Sequence, residues 1–300
     1  MIDTTAAHAL SDTLHTAAQT GEHGGASGNM FTELLNHVYD SHELELPFVG
    51  HVELPHFEPI HIGGLTLDLS ITKHVVFLLF AAVIVIIMTA IAAWKNRRSA
   101  VPTGIGNLIE VFVVFIRDEI VVPNMGREGI KYMPYLLTTF FFILIMNLSG
   151  LVPYGSTATG NVSVTGGLAL IAFIMIQYSA IRAQGLGHYL KHLTGGVHWS
   201  LWPIMIPIEI LGLFTKPFAL MIRLFANMTG GHIVIVSLIG LIFIFKSYVI
   251  APVPIAFVLG IYLLELFVAV LQAYIFTMLT SLFMGLGMQA AHEEGEGHGH

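Results

Sequence analysis

The chain has 300 residues, of which 55% are hydrophobic and 10% are charged, and it contains no cysteine. Soluble domains carry about 25% charged residues, so this composition excludes an ordinary soluble domain and indicates a helical membrane protein with several crossings. The lack of cysteine excludes disulfides, thiolate metal sites and thiol nucleophiles. The formal net charge at pH 7 is −7.

The acidic residues are concentrated at the N-terminus, where residues 1–72 hold ten Asp or Glu and no Lys or Arg. Such a segment is suited to translocation, so we expect 1–72 to be an acidic, His-rich segment on the outer side. A short amphipathic helix is expected near 31–38, and the stretch 51–70 is typical of an extended segment or hairpin. The start of the chain resembles neither a secretory signal nor a basic transit sequence, which favours a bacterial inner membrane over an organelle.

Three apolar stretches of ordinary length predict the first membrane spans, at residues 74–94, 134–151 and 162–181. Between the first two, residues 104–122 combine an apolar pattern with charged side chains. This mixture predicts an amphipathic helix on the inner surface, not a span. Its charged residues are Glu110, Arg117, Asp118 and Glu119.

Two further apolar stretches, 201–245 and 255–288, are too long for upright spans. As straight helices they would measure about 68 and 51 Å, against a hydrocarbon thickness of roughly 30 Å. They must therefore tilt steeply, bend or break. In the first of them the places to bend are Pro203, Pro207, Pro217 and the Gly230–Gly231 pair.

The basic residues predict the orientation. Eight Lys or Arg fall in loops expected on the inner side, against only Lys73 and Lys246 outside. The positive-inside rule then places the N-terminus outside and the C-terminus in the cytoplasm after five crossings. Residues 289–300 are expected to form a disordered polar tail, which leaves 73–288 as the membrane domain. The predicted fold class is an all-α polytopic membrane protein with about five crossings, one amphipathic surface helix, and two long, steeply tilted final helices.

Arg223 lies near the middle of the apolar stretch 201–245. A guanidinium does not lose its proton, and placing it at membrane depth costs about 3 kcal/mol on insertion scales. Such a residue indicates an ion pathway, although a purely structural ion pair is an alternative. At about 100° per residue, four polar residues share one stripe of this helix. They are Glu209, Lys216, Arg223 and Asn227.

A second polar set has the composition of a proton relay. His232 would lie on the side of the helix opposite Arg223, about 13 Å further along the axis. The last apolar stretch carries Glu265 and Gln272, seven residues apart and so on one face. An unpaired carboxylate there is costly, so Glu265 should be protonated, hydrated or near His232.

Several of these residues have ordinary alternatives. Lys216 could extend to the membrane surface or pair with Glu209, and Glu209 could be a simple interfacial residue. Asn147, in the second span, could hydrogen-bond a neighbouring helix. The histidine spacing matches no compact metal site, so neither a metal nor a cofactor is expected. No phosphate-binding glycine loop or catalytic triad is present, so nucleotide hydrolysis by this chain alone is improbable.

Three motifs together resemble subunit a of the membrane sector of F-type ATP synthases. They are KPFALMIRLFANMTGGHIV (216–234), LLELFVAVLQAYIFTMLTSLF (263–283) and MNLSGLVP (146–153). The resemblance covers roughly residues 70–285. It implies a non-catalytic stator subunit that translocates protons, with the c-ring, the peripheral-stalk subunit b, protons and membrane lipids as partners and no nucleic acid.

The resemblance also implies roles for single residues. Arg223 is similar to the essential arginine that faces the ion-binding carboxylates of the c-ring, with Asn227 and Gln272 as its polar neighbours. His232 and Glu265 would serve the outer half-channel; many bacterial members carry the same pair exchanged. Two further residues complete the set: Glu209 corresponds to a carboxylate of the inner half-channel, and Asn147 to a polar residue of the second span.

Two other functions remain open from the sequence. A secondary transporter with a mid-membrane site at broken helices would be expected to contain internal repeats, and the halves 74–181 and 201–288 show none. A structural membrane anchor would tolerate the replacement of Arg223 and His232 by apolar residues without functional loss.

Overall fold

The protein is described here by a computed structural model that covers most of the predicted membrane domain. The described residues are 43–46, 50–53, 60–62, 65–67, 72–98, 104–152, 158–187, 189, 202–245 and 252–296. The amphipathic helix expected near 31–38 lies outside these ranges.

Two short β-hairpins precede the helices. Strand β1 (Glu43–Leu46) pairs antiparallel with β2 (Gly50–Glu53), and β3 (Ile60–Ile62) pairs antiparallel with β4 (Leu65–Leu67). The hairpin predicted for 51–70 is therefore present, and a second one begins earlier in the chain. Both follow from short alternating polar and apolar runs bounded by Gly or Pro.

The rest of the described chain is helical. The order is α1 (Lys73–Arg98), α2 (Ile105–Phe115), a π-helix (Ile116–Val121), α3 (Val122–Met125), a 3-10 helix (Arg127–Tyr132), α4 (Met133–Gly150), a 3-10 helix (Ala158–Gly160), α5 (Val162–Gln184), α6 (Trp202–Phe245) and α7 (Pro252–Glu296). Five candidate spans, in α1, α4, α5, α6 and α7, are long and apolar enough to cross a membrane, that of α4 including the 3-10 turn before it. The predicted class, an all-α polytopic membrane protein, is confirmed. The segment from α2 to α3 is not among the five candidate spans.

The structure decides one open alternative for the two longest helices and contradicts one expectation. Helix α6 is continuous and contains Pro207 and Pro217, so of tilting, bending and breaking, the break does not occur. At about 1.5 Å per residue it measures roughly 66 Å, which still requires a tilt or a gentle bend in a bilayer. Helix α7 continues to Glu296. Residues 289–296 are therefore helical, and the expectation of a disordered tail is wrong for them. The reason is composition, because Gln, Ala and Glu in this stretch favour helix.

Contacts divide the chain into two units. The described part of the smaller unit lies within Thr229–Glu265 and consists of the end of α6, up to residue 245, and the start of α7, from residue 252. The larger unit contains His42–Met228 and Leu266–His300. In the larger unit α1 packs against α2 and α4. Among its largest fully buried side chains are Phe140, Phe276, Ile116, Ile120, Leu136, Ile143 and Met146.

Within the larger unit, small residues of α7 bring it close to the π-helix and α3. The carbonyl of Ile120 accepts a hydrogen bond from Ser281 Oγ at 3.3 Å and another from Asn124 Nδ2 at 2.8 Å. Gly285 lies directly against the backbone carbonyl of Asn124. A side chain at this glycine would meet a backbone atom that cannot rotate away, so we infer that the approach requires glycine.

Replacing Gly285 by alanine should destabilise the protein by about 1–3 kcal/mol, because the methyl group would overlap the Asn124 carbonyl and force the two helices apart. The measurement is the amount of subunit retained in membranes together with its thermal unfolding in mild detergent. Gly167→Ala is the matched control, since a Cβ added there meets nothing within 4 Å. Equal stability of the two variants would show that the approach of α7 to α3 is looser than described.

Candidate functional site

The predicted site residues belong to both units, and each group is described by itself. The larger unit holds the Arg223 stripe of α6 and its companions on α4 and α7: Glu209, Lys216, Arg223, Asn227, Asn147 and Gln272. The smaller unit holds His232 on α6 and Glu265 on α7.

Arg223 is exposed on the surface of α6. Leu220 and Leu224 on the adjoining face of the helix are buried, at 1% and 0% exposed. Within the described residues Arg223 forms no ion pair and no hydrogen bond. The described part of the chain therefore offers this permanent cation no acid of its own.

Asn227 lies on the same exposed face, one helical turn after Arg223. Its Nδ2 donates a hydrogen bond of 2.8 Å to Oε1 of Gln272. Gln272 is only 2% exposed, so this bond satisfies an amide oxygen that α7 buries. The structure thus joins the two amides that the family resemblance implies as polar neighbours of Arg223.

Glu209 and Lys216, both half-buried on α6, do not pair with one another. The Lys216 ammonium instead lies 5.2 Å from the ring centroid of Phe283 on α7. This cation–π contact attaches α6 to α7 and leaves the Glu209 carboxylate without that counter-charge. The suggested Lys216–Glu209 ion pair is therefore wrong for the described chain.

Asn147 is completely buried, and both ends of its amide are engaged. Its Nδ2 donates to the carbonyl of Ala269 on α7 at 3.3 Å, and its Oδ1 accepts from the hydroxyl of Thr159 at 2.8 Å. The alternative that Asn147 hydrogen-bonds a neighbouring helix is thus correct. Sequence reasoning missed Thr159, because it lies in a short 3-10 turn without any recognisable motif.

In the smaller unit Glu265 is 4% exposed, and its carboxylate lies directly against Gly231. Neither of its oxygens has a hydrogen-bond partner among the described residues, so no hydrogen bond joins it to His232. Buried polar atoms without a partner are uncommon in folded proteins, and a catalytic role or a bound ion or water is among the usual reasons for them. Gly231 was predicted only as a place to bend; its use is to let the Glu265 carboxylate approach the backbone of α6.

An apolar cavity of about 360 Å³ lies between α5 and α6 in the larger unit. Its walls include Gly166, Phe173, Phe214 and Met221, and its one hydroxyl, that of Thr215, donates to the carbonyl of Leu211. Sites for polar solutes need several convergent polar groups. This cavity has none available and gives no support to the transporter alternative.

Comparisons with known proteins agree with the sequence motifs. The sequence profile of the family described as "ATP synthase A chain" matches residues 75–285. The chain is 53% identical over 273 residues to "ATP synthase subunit a" of Chloroherpeton thalassium, which covers 89% of this chain and 80% of the relative. It is 54% identical over 238 residues to "ATP synthase subunit a" of Myxococcus xanthus, with 78% of each chain covered. It is 50% identical over 289 residues to "ATP synthase subunit a 2" of Chlorobaculum tepidum, with 95% of this chain and 80% of the relative covered. The chain therefore belongs to the ATP synthase A chain family.

Proposed function

We propose that this chain is the proton-translocating stator subunit of a rotary ATP synthase in a bacterial plasma membrane. It would contribute a path for protons and no catalytic site for ATP. The observation that carries the proposal is the exposed Arg223 on a span that offers it no acid among the described residues. Family membership supports it, because the matched residues 75–285 include every residue of the predicted site.

The counter-charge of Arg223 would come from another polypeptide. An arginine in hydrocarbon is too costly to remain without an anion or water, and its charge cannot be removed by deprotonation. A ring of identical c-subunits, each bearing one carboxylate at mid-membrane, would present such an anion repeatedly as it turns. The Asn227–Gln272 hydrogen bond would keep polar groups beside the passing carboxylate.

The proton path would consist of two half-channels that do not connect directly. His232 and Glu265 would deliver protons from the outer side to a ring carboxylate, which is then neutral and can turn into lipid. A returning carboxylate would be attracted to Arg223 in its ionised form and would release its proton towards Glu209 on the inner side. Each proton that crosses 100 mV supplies about 2.3 kcal/mol, which the ring would convert to torque.

The orientation would place the N-terminus outside and the C-terminus in the cytoplasm. The exposed basic residues Arg127, Lys131 and Arg182 support this, since they would lie on the inner side. The same surface would be available to the peripheral-stalk subunit b.

Arg223→Ala should abolish ATP-driven proton pumping and proton-driven ATP synthesis while the complex still assembles, because the exposed side chain contributes no packing. Dye quenching in inverted membrane vesicles measures pumping, and the ring and stalk subunits recovered with the chain measure assembly. Arg182→Ala, an exposed arginine in the last turn of α5, should pump normally. Normal coupling in the Arg223 variant would refute the proposed function.

Gly231→Ala should reduce proton pumping about tenfold or more, because the methyl group would push the Glu265 carboxylate out of its place. Assembly should be normal, since the atoms displaced belong to the flexible end of a side chain. Gly230→Ala is a closely matched control, because a Cβ at this neighbouring glycine meets nothing within 4 Å. If both variants pump at the same rate, Glu265 does not act from the position described.

A further inference from the structure

One turn of α7 receives side-chain hydrogen bonds from two other helices, α4 and α6. Asn147 on α4 donates from Nδ2 to the carbonyl of Ala269 at 3.3 Å. Asn227 on α6 donates from Nδ2 to Oε1 of Gln272 at 2.8 Å. Ala269 and Gln272 are three residues apart on α7, so the two bonds reach this helix at nearly the same height. The second bond has a role in the proposed function, whereas the first has none so far.

The first bond continues to Thr159, in the 3-10 helix Ala158–Gly160 that precedes α5. A backbone carbonyl can only accept, so Ala269 requires the Nδ2 side of the Asn147 amide, and Oδ1 points away from that carbonyl. Oδ1 then needs a donor, and the hydroxyl of Thr159 supplies it at 2.8 Å. Thr159, Asn147 and Ala269 are all 0% exposed, so bulk solvent cannot replace this donor. The hydroxyl of Thr159 therefore stabilises the one amide orientation that reaches α7.

A buried hydrogen bond restricts the position of packed helices more narrowly than apolar contacts do, because it is directional. Buried polar groups can fix the register of neighbouring helices even where they add little stability. Within a membrane span such groups are costly, and they usually have a function. The bonds from Thr159 to Asn147 and from Asn147 to Ala269 therefore restrict the height of one turn of α7, and with it the position of the Gln272 amide.

We propose that Thr159 is a positioning residue for proton translocation. Acting through Asn147, its hydroxyl holds residues 269–272 of α7 at the height where the Gln272 amide meets Asn227. Thr159 keeps its own proton throughout, and its effect is on geometry alone. This inference rests on the proposed function, in which Asn227 and Gln272 keep polar groups beside the passing ring carboxylate.

The first experiment compares the initial rates of ATP-driven pumping in inverted vesicles, at equal amounts of assembled ATP synthase. Thr159→Val keeps the size of the side chain but leaves Oδ1 of Asn147 without its donor. It should lower the rate about fivefold, as expected for one lost hydrogen bond. Thr159→Ser restores a hydroxyl and should recover more than half of the rate. A Ser variant as slow as the Val variant would overturn the inference.

Thr165→Val is the matched control for the loss of a buried hydroxyl. Thr165 is also 0% exposed, but its hydroxyl donates only to the carbonyls of Asn161 and Val162, at the start of its own helix. This variant should pump at the unmodified rate. A Thr159→Val rate equal to that of the control would overturn the inference.

A variant of Asn147 tests the same contacts without altering the 3-10 helix. Asn147→Leu removes both hydrogen bonds and should lower the pumping rate at least as much as Thr159→Val. In the Asn147→Leu background Thr159→Val should cause no further loss, because the hydroxyl no longer has an amide to orient. A normal rate in Asn147→Leu, or an additional fivefold loss in the double variant, would overturn the inference.

A cross-linking measurement in the assembled complex tests the position of Gln272 without relying on pumping. The chain contains no cysteine, so Asn227→Cys together with Gln272→Cys introduces the only two thiols of this subunit. A short bifunctional thiol reagent should join them, because the two native side chains are in hydrogen-bond contact. Adding Thr159→Val should lower the cross-linked yield at least twofold, and adding Thr165→Val should leave it unchanged. Equal yields in the two backgrounds, or no cross-link in the parent pair, would overturn the inference.

The failure of this inference can be distinguished from the failure of the proposed function. Normal pumping by Arg223→Ala refutes the proposed function itself. If Arg223→Ala abolishes pumping while Thr159→Val pumps at the rate of the Thr165→Val control, only the inference about Thr159 fails.

Discussion

The permanent charge of Arg223 is the constraint on which the rest of this protein depends. At membrane depth it costs about 3 kcal/mol on insertion scales, and the side chain cannot become neutral. Leu220 and Leu224 pack the adjoining face of the helix, while the Arg223 side chain is exposed. The described residues hold no acid against this group, and this is the observation from which we propose an anion on another polypeptide.

The other polar residues of the membrane domain divide into satisfied and unsatisfied groups. Asn147 has both ends of its amide engaged by Thr159 and Ala269, and Gln272 accepts a hydrogen bond from Asn227. These contacts join helices and contribute about 0.6–2 kcal/mol each in membrane proteins. Glu265 is different, because it is buried and both of its oxygens lack a partner among the described residues. No hydrogen bond among the described residues offsets the cost of burying this carboxylate, and this is why we propose that Glu265 exchanges protons.

Hydrophobic length and charge placement were enough to predict the five spans, the surface helix and the stripe that carries Arg223, because these depend on local periodicity. The pairing of Asn147 with Thr159 could not be predicted, since it joins α4 to a turn that has no pattern of its own. The position of Lys216 over Phe283 was missed for a related reason. Helical spacing places Lys216 near Glu209 on one helix but contains no information about the facing side chain of α7. The continuity of α6 through Pro217 was also undecided, because helix packing competes there with the intrinsic preference of proline.

Two glycines show why the same substitution has different consequences at different places. Gly285 meets the backbone carbonyl of Asn124, whereas Gly231 meets the carboxylate of Glu265. A backbone atom cannot move without shifting its helix, so the first contact governs how α7 packs. A carboxylate at the end of three rotatable bonds can move at little cost, so the second contact governs where a charge is held. Close approach at glycine therefore affects helix packing at Gly285 and the position of a carboxylate at Gly231. Only the identity of the facing atom distinguishes the two.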